Sequence, residues 1–101
     1  MSAQETTHPV RDTAAGERFV AEHPGWTIAT DGLEKTYPFT EYGAALAFAL
    51  RVGMAADKRD HHPELHISWG KVGVRWTTHD AGGITALDLE MAQVGDLAYG
   101  P

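Results

Sequence analysis

The chain has 101 residues, of which 43% are hydrophobic, and its 14 acidic and 8 basic side chains give a formal net charge of −6. A chain of this length can bury roughly 60 to 65% of its unfolded surface, which is enough for one domain. The acidic residues are dispersed and no cluster of Lys and Arg offsets them, so direct binding to the phosphate backbone of a nucleic acid is not expected.

The sequence contains no cysteine, which excludes disulfides, thiolate zinc sites and cysteine nucleophiles. The longest mostly apolar stretch, residues 44–56, is interrupted by Arg51 and Gly53, and the N-terminus has neither a basic start nor an apolar run. We therefore expect a cytoplasmic protein with no signal peptide and no membrane contact. Residues 1–11 are polar and lack periodicity, which predicts a flexible tail before a single domain at residues 12–101.

The first predicted helix begins at Asp12 or Thr13, since both are good N-cap residues. It runs to about Glu22, where the His-Pro-Gly segment at 23–25 ends it.

A hairpin is predicted next, from the strand-like segments 26–29 and 33–39 around the Thr-Asp-Gly segment 30–32. An Asp-Gly pair between two such segments is a strong hairpin signal. Pro38 indicates an edge strand or the end of a strand. Thr40 is then a plausible N-cap for a long helix that ends at about Lys58.

The second predicted hairpin joins Leu65–Trp69 to Val72–Trp76 through Gly70 and Lys71. With these two residues as the turn, Trp69 lies opposite Val72, and outward counting sets His62 opposite His79. We expect Trp69 and Trp76 to be core residues.

The last helix is predicted from a stripe of apolar residues at helical spacing, with Thr85 as N-cap and Asp88 as its capping-box partner. The stripe consists of Ile84, Leu87, Met91, Val94 and Ala98. The predicted order is therefore α-β-β-α-β-β-α, which is typical of a two-layer α+β fold with a four-stranded antiparallel sheet and the helices on one face.

The segment most informative about chemistry is 57–63, Asp-Lys-Arg-Asp-His-His-Pro, which sets two adjacent imidazoles beside acidic residues. Histidine has an ordinary pKa of about 6.5 and so can both give and take a proton near neutral pH. Because the second hairpin brings His79 toward His61 and His62, the sequence predicts a three-histidine site for proton transfer.

These residues and their spacing resemble the signature of the pterin-4a-carbinolamine dehydratase family, also called 4a-hydroxytetrahydrobiopterin dehydratase. The resemblance covers roughly three quarters of the chain, from about Gly25 to the last helix. Its spaced positions are Asp57, His61-His62-Pro63, Trp69, His79 and Asp88. The family fold, a four-stranded antiparallel sheet with helices on one face, agrees with the order that the pattern predicts.

The resemblance implies an enzyme that dehydrates 4a-hydroxytetrahydropterin to quinonoid dihydropterin and so recycles the cofactor of aromatic amino-acid hydroxylases. Such an elimination needs an acid and a base near neutral pH, and neither a metal nor a redox cofactor is expected. The implied partners are the pterin substrate and further copies of the chain in a homodimer or homotetramer, and an aromatic amino-acid hydroxylase of the same pathway is a candidate partner.

Residue by residue, the resemblance implies that His61 and His79 are the acid and base, without fixing which proton each handles, and that His62 mainly holds the pterin. The implied substrate-binding residues are Trp26, Asp57, Asp60, Pro63, Thr77, Thr78, Asp80 and Asp88. Two positions depart from the family pattern: Asp57 stands where glutamate is common, and Leu65 stands where an aromatic residue is common.

Two alternatives stay open at this point. The same fold is used by relatives that bind or assemble other proteins, including a dimerisation cofactor of a homeodomain transcription factor, so the chain could be a non-catalytic interaction module. His62 and His66 could instead join His79 as metal ligands. Their spacing spans a proline and a strand, however, where it lacks the helical geometry that makes i, i+4 histidines useful ligands.

Overall fold

The computed structural model describes residues 9–101, in which three helices and four strands follow one another in the predicted order. In chain order they are α1 (Thr13–Glu22), β1 (Thr27–Ala29), β2 (Gly32–Pro38), α2 (Tyr42–Lys58), β3 (Glu64–Ser68), β4 (Lys71–Trp76) and α3 (Ala86–Tyr99). A 3-10 turn at His79–Ala81 separates β4 from α3. The tail predicted at residues 1–11 falls mostly on residues 1–8, which lie outside the described part.

The four strands form one antiparallel sheet in the order β1-β2-β4-β3, so β1 and β3 are its edges. Alternate side chains of the sheet face the helices and are buried, namely Leu33, Tyr37, Val72, Val74 and Trp76. The intervening side chains form an open polar face, which includes Glu34, Thr36, Glu64, His66 and Arg75. This alternation confirms the two-layer α+β fold with the helices on one face of the sheet.

The first hairpin turns at Thr30 and Asp31, which both have positive φ values, 48° and 63°. Two consecutive positive values are typical of the tight turn whose twist matches that of antiparallel strands. Gly32 then begins β2 against the Arg75 guanidinium, where a Cβ would lie 2.4 Å from Nη1. Arg75 donates hydrogen bonds to the carbonyls of Ala29 and Thr30, so this glycine lets the guanidinium hold the end of the hairpin.

The predicted register of the second hairpin is wrong by two residues. Ser68 lies opposite Lys71 and Leu65 lies opposite Val74, so the turn consists of Trp69 and Gly70. Gly70 occupies the second position of this turn with a φ of 90°, which glycine adopts without the steric cost of a side chain. A register shift of two residues keeps every side chain on its predicted face of the sheet, because side chains along a strand alternate between the two faces.

Helix ends are partly as predicted. Asp12 accepts a hydrogen bond from the Ala15 amide at 3.0 Å and caps α1, and Thr85 caps α3 in a capping box with Asp88. The prediction of Thr40 as the cap of α2 is wrong: the N-cap is Glu41, whose side chain makes no capping hydrogen bond. Within residues 9–101, no helix combines the length and the apolar character needed to cross a bilayer.

The tryptophans occupy contrasting environments. Trp76 is completely buried in the core, as predicted, whereas the prediction for Trp69 is wrong because 79% of it is exposed in the turn after β3. Trp26 immediately precedes β1 and is buried between Phe19 and Tyr37.

One carboxylate ties α3 to the first hairpin. Asp96 accepts hydrogen bonds from Trp26 Nε1 at 3.0 Å, Lys35 Nζ at 2.8 Å and Tyr37 Oη at 2.6 Å. Burial opposes the ionisation of Asp96, but the hydrogen bonds from Lys35, Tyr37 and Trp26 and the charge of Lys35 outweigh it, so the pKa of Asp96 lies below its usual value. Burial, together with the hydrogen bond to Asp96 and its charge, raises the pKa of Tyr37 far above the usual range.

We expect Asp96→Ala to lower the free energy of unfolding by about 2 to 4 kcal/mol, because Trp26 and Tyr37 would keep buried donors without an acceptor. The folded-state pKa of Asp96 is depressed, so its ionised form stabilises the fold above the ordinary aspartate pKa, and this contribution is lost as the pH falls through the folded-state value. Urea unfolding from neutral pH down to about pH 3 measures both effects.

The matched control is Glu17→Ala, which removes an exposed carboxylate from α1. This control should change stability by less than about 0.5 kcal/mol at every pH. An Asp96→Ala deficit that stays constant across the acid range would contradict the assigned role of the ionised carboxylate.

Candidate active site

The end of α2 sets the position of the histidine pair. The His61 amide donates to the Ala56 carbonyl and the Asp60 amide donates to the Asp57 carbonyl, each at 3.1 Å. These two bonds define a Schellman motif, in which the residue in the position of Asp60 adopts the left-handed conformation. Asp60 has a φ of 51°, although glycine is the residue that usually occupies this position. The motif reverses the chain and directs His61 back toward the sheet.

His61 is held between an aromatic ring and a carboxylate. Its imidazole lies nearly parallel to the Trp76 ring, with an interplanar angle of 14° and centroids 5.8 Å apart. Its Nε2 lies 2.5 Å from Oδ1 of Asp88, and only 12% of the His61 side chain is exposed. The ring therefore has little freedom to reorient, which is what a proton-transfer group requires.

Asp88 is completely buried in the first turn of α3 and is saturated by protein groups. Its Oδ2 accepts hydrogen bonds from the Thr85 amide at 2.8 Å, the Thr78 hydroxyl at 2.7 Å and the Thr85 hydroxyl at 3.2 Å. The carboxylate thus joins three parts of the chain, namely the start of α3, the segment after β4, and His61. The other oxygen of Asp88, Oδ1, contacts the imidazole of His61.

The second hairpin brings the third histidine to the pair. Continued three residues beyond the pair Glu64 and Arg75, the observed register sets His61 opposite Thr78, next to His79. His79 begins the 3-10 turn, which is closed by a bridge between Thr78 and Gly83. His79 is exposed. The histidines therefore meet as predicted, although the residue-to-residue register that predicted their meeting is wrong.

An open cavity of about 370 Å³ lies between these segments. Seven of the predicted site residues line it: Asp60, His61, His62, Thr77, Thr78, His79 and Asp80. Three imidazoles, two carboxylates and two hydroxyls thus converge on one concave surface. Such a surface can donate and accept protons and can bind a flat, polar heterocycle by hydrogen bonds.

The remaining four predicted residues do not line this cavity. Asp57 is exposed, with its Oδ1 3.6 Å from Nε2 of His62, and Pro63 follows the pair as a half-buried residue. Asp88 lies behind His61, and Trp26 packs in the core where its indole binds Asp96. Their contact with a substrate stays a prediction.

The sequence did not reveal two features of this site. Trp76 was predicted only as a core residue, yet its ring supports His61, and its buried Nε1 has no hydrogen-bond partner within residues 9–101. Thr85 was predicted only as a helix cap, yet it also binds the carboxylate that contacts His61. The alternation along β4 places Trp76 on the helix-facing side, but the contact with His61 depends on the reversal at Asp60.

The described part of the chain contains no group of three or more histidine and acidic side chains arranged to hold a metal ion. His66, one of the ligands in the metal alternative, projects onto the open polar face of the sheet and is 80% exposed near Glu64. It does not line the cavity of His62 and His79.

Comparison with known proteins shows which family this chain is similar to. A sequence model of the pterin 4 alpha carbinolamine dehydratase family matches residues 8–97. A proposed pterin-4-alpha-carbinolamine dehydratase of Thermosynechococcus vestitus is 44% identical over 78 residues, which are 77% of this chain and 82% of that protein. A relative with the same name from Rhodospirillum rubrum is 36% identical over 91 residues, 88% of this chain and 95% of the relative.

A solved structure shares the fold. The crystal structure of a transcriptional coactivator/pterin dehydratase from Brucella melitensis superposes with a TM-score of 0.83 at 25% sequence identity. The match covers 90% of this chain and 99% of that protein.

We expect Asp60→Gly to raise the free energy of unfolding by up to about 1 kcal/mol, because glycine adopts the left-handed conformation without steric cost. Asp60→Ala should lower it by about 1 kcal/mol, since alanine adopts the left-handed conformation less readily than aspartate does. Chemical denaturation of both variants measures the difference. Equal stabilities would show that the backbone at Asp60 relaxes and that no strain is held beside His61.

Proposed function

The chain belongs to the pterin-4a-carbinolamine dehydratase family of hydro-lyases, and from this premise we propose that it dehydrates 4a-hydroxytetrahydropterin to quinonoid dihydropterin by histidine acid–base catalysis. The observation that carries the proposal is the convergence of His61, His62 and His79 on one cavity. In the cell the reaction would recycle the cofactor of aromatic amino-acid hydroxylases. Its location in the cytoplasm and a hydroxylase partner remain predictions.

The reaction requires two proton movements. The hydroxyl on C4a must gain a proton to leave as water, while the pterin ring must release a proton as the new double bond forms. Imidazoles can both donate and accept a proton near neutral pH, because their ordinary pKa lies close to it. The cavity offers them in different settings, because His61 is mostly buried against Asp88 whereas His79 is exposed.

We assign His61 and His79 to proton transfer and His62 to pterin binding. Asp60, Thr77, Thr78 and Asp80 supply the carboxylates and hydroxyls at the cavity surface that would bind the amino and amide groups of a pterin. Asp57 and Pro63 adjoin His62 and would support its position. Trp26 and Asp88 are proposed as more distant contributors, since both are buried by protein atoms.

We also propose that the protein is a homo-oligomer in which α2 and the edge strand β3 contact a second copy. An apolar groove between these elements is lined by Leu46, Ala49, Leu50, Gly53, Leu65 and Ile67. Leu50 and Met54 are 65% and 60% exposed. The groove continues into β3, whose free edge can pair with another strand, so a second copy would cover both the apolar and the backbone surfaces.

A protein-interaction role is the second candidate. The Brucella melitensis structure is described both as a transcriptional coactivator and as a pterin dehydratase, and the apolar groove of this chain could serve a partner protein. Such a role would not require the cavity histidines. Activity that depends on His61 and His79 therefore separates the enzyme from the interaction module.

We expect His61→Ala and His79→Ala each to lower the rate of dehydration of synthetic 4a-hydroxytetrahydropterin by about 10²-fold or more, which is the usual contribution of a placed general acid or base. The matched control is His66→Ala, which removes an exposed histidine from the open face of the sheet. Full activity in both cavity variants, with folding verified by circular dichroism, would refute the catalytic assignment.

Light scattering after gel filtration should show that the wild-type protein is a dimer or tetramer and that Leu50→Glu produces a smaller species. Burying a new carboxylate in the groove without a partner costs several kcal/mol, enough to dissociate a small interface. Leu97→Glu, on α3, is the matched control because Leu97 is 82% exposed and lies outside the groove. Dissociation by Leu97→Glu instead would place the interface on α3.

A further inference from the structure

The contact between His61 and Asp88 is asymmetric. Asp88 uses Oδ2 for three protein groups and Oδ1 for the imidazole alone. The Thr85 amide can only donate, so Oδ2 must be an acceptor at that point. The carboxylate also lies in the first turn of α3, where the helix dipole favours a negative charge.

We propose that Asp88 is a positioning residue that holds His61 in the tautomer with its proton on Nε2, so that proton exchange with the substrate takes place at Nδ1. The place of Asp88 in the first turn of α3 favours the ionised carboxylate, which accepts hydrogen bonds and donates none. With such a carboxylate, the 2.5 Å contact places the proton on the imidazole nitrogen. Proton exchange between Nδ1 and the substrate rests on the function proposed above. The tautomer itself does not depend on that function.

The surroundings of the ring support Nδ1 as the working atom. Trp76 covers one face of the imidazole, and Asp88 occupies Nε2. Within residues 9–101, Nδ1 of His61 has no hydrogen-bond partner, and the residue lines the cavity. In the neutral ring, Nδ1 is therefore a free acceptor, and in the protonated ring it is a donor beside the stabilising charge of Asp88.

The other two cavity histidines lack such a constraint. His62 Nε2 is 3.6 Å from Asp57, which is too long for a hydrogen bond, and both side chains are mostly exposed. His79 is exposed at the start of its turn. Among the three cavity histidines, a fixed tautomer is therefore specific to His61, and it distinguishes His61 from His79 in proton transfer.

The tautomer can be read directly from two-bond ¹H–¹⁵N correlation spectra of the ¹⁵N-labelled protein, with His61 assigned by comparison with His61→Ala. We expect the neutral wild-type ring to carry its proton on Nε2. In Asp88→Asn, the amide oxygen must face the Thr85 amide, so the NH₂ group faces Nε2 and donates to it. We therefore expect the proton of His61 to move to Nδ1 in this variant.

The kinetic consequence follows from the same change. Since Nδ1 would no longer accept a proton, kcat of Asp88→Asn should fall by about 10²-fold or more, with KM little changed. The matched control is Asp12→Asn at the N-cap of α1, where asparagine caps as well as aspartate. This control should retain both the wild-type tautomer of His61 and the wild-type kcat.

Three results would overturn the inference: a wild-type ring protonated on Nδ1, an Asp88→Asn ring that keeps the wild-type tautomer, or a switched tautomer with unchanged kcat. The wild-type spectrum needs no variant, so it decides the tautomer even if Asp88→Asn fails to fold. A wild-type protein that has the expected tautomer but no dehydratase activity would refute the proposed function while leaving the tautomer intact.

Discussion

The burial of the Asp88 carboxylate is the constraint on which the candidate site depends. A fully buried carboxylate is tolerated only when its oxygens are satisfied by hydrogen-bond donors, and here the donors come from three separate parts of the chain. Three segments must therefore meet at Asp88: the start of α3, the segment after β4 and the chain reversal after α2. The cavity lies beside this contact, and of the donors to Asp88, His61 and Thr78 line it.

A second carboxylate on the same helix performs a different task. Asp96 lies eight residues after Asp88, which is about 12 Å along an α-helix, and it binds Trp26, Lys35 and Tyr37 from the first hairpin and its approach. One end of α3 thus orders the histidine cavity, whereas the other anchors the helix to the sheet. Trp26 belongs to the anchoring end, which explains why it does not line the cavity.

Two locally unfavourable features flank His61. Asp60 adopts a left-handed conformation that favours glycine, and Trp76 buries an indole N–H without a partner in the described part of the chain. Glycine would adopt the conformation of Asp60 without steric cost, and phenylalanine at position 76 would carry no buried N–H. Asp60 lines the cavity and Trp76 stacks on the imidazole, so both local costs fall at the candidate site, which is where such exceptions are expected.

The amino-acid sequence was sufficient for the order of the elements, the buried face of each strand and the histidines that meet, because these depend on side-chain periodicity, local caps and the spacing of a family signature. It was insufficient for the register of the second hairpin. A shift of two residues leaves every apolar side chain on the same face, so the pattern is equally satisfied by both registers. Glycine at position 70 also suits the first turn position of the predicted register as well as the second position of the observed one, so only the tertiary structure decides between them. The contact of Asp88 with His61 was likewise undetermined, because the capping box accounts for an aspartate at this position from its own helix alone. Its contact with His61 arises across 27 residues of sequence, through the packing of α3 beside the end of α2, and only the tertiary structure brings those two groups together.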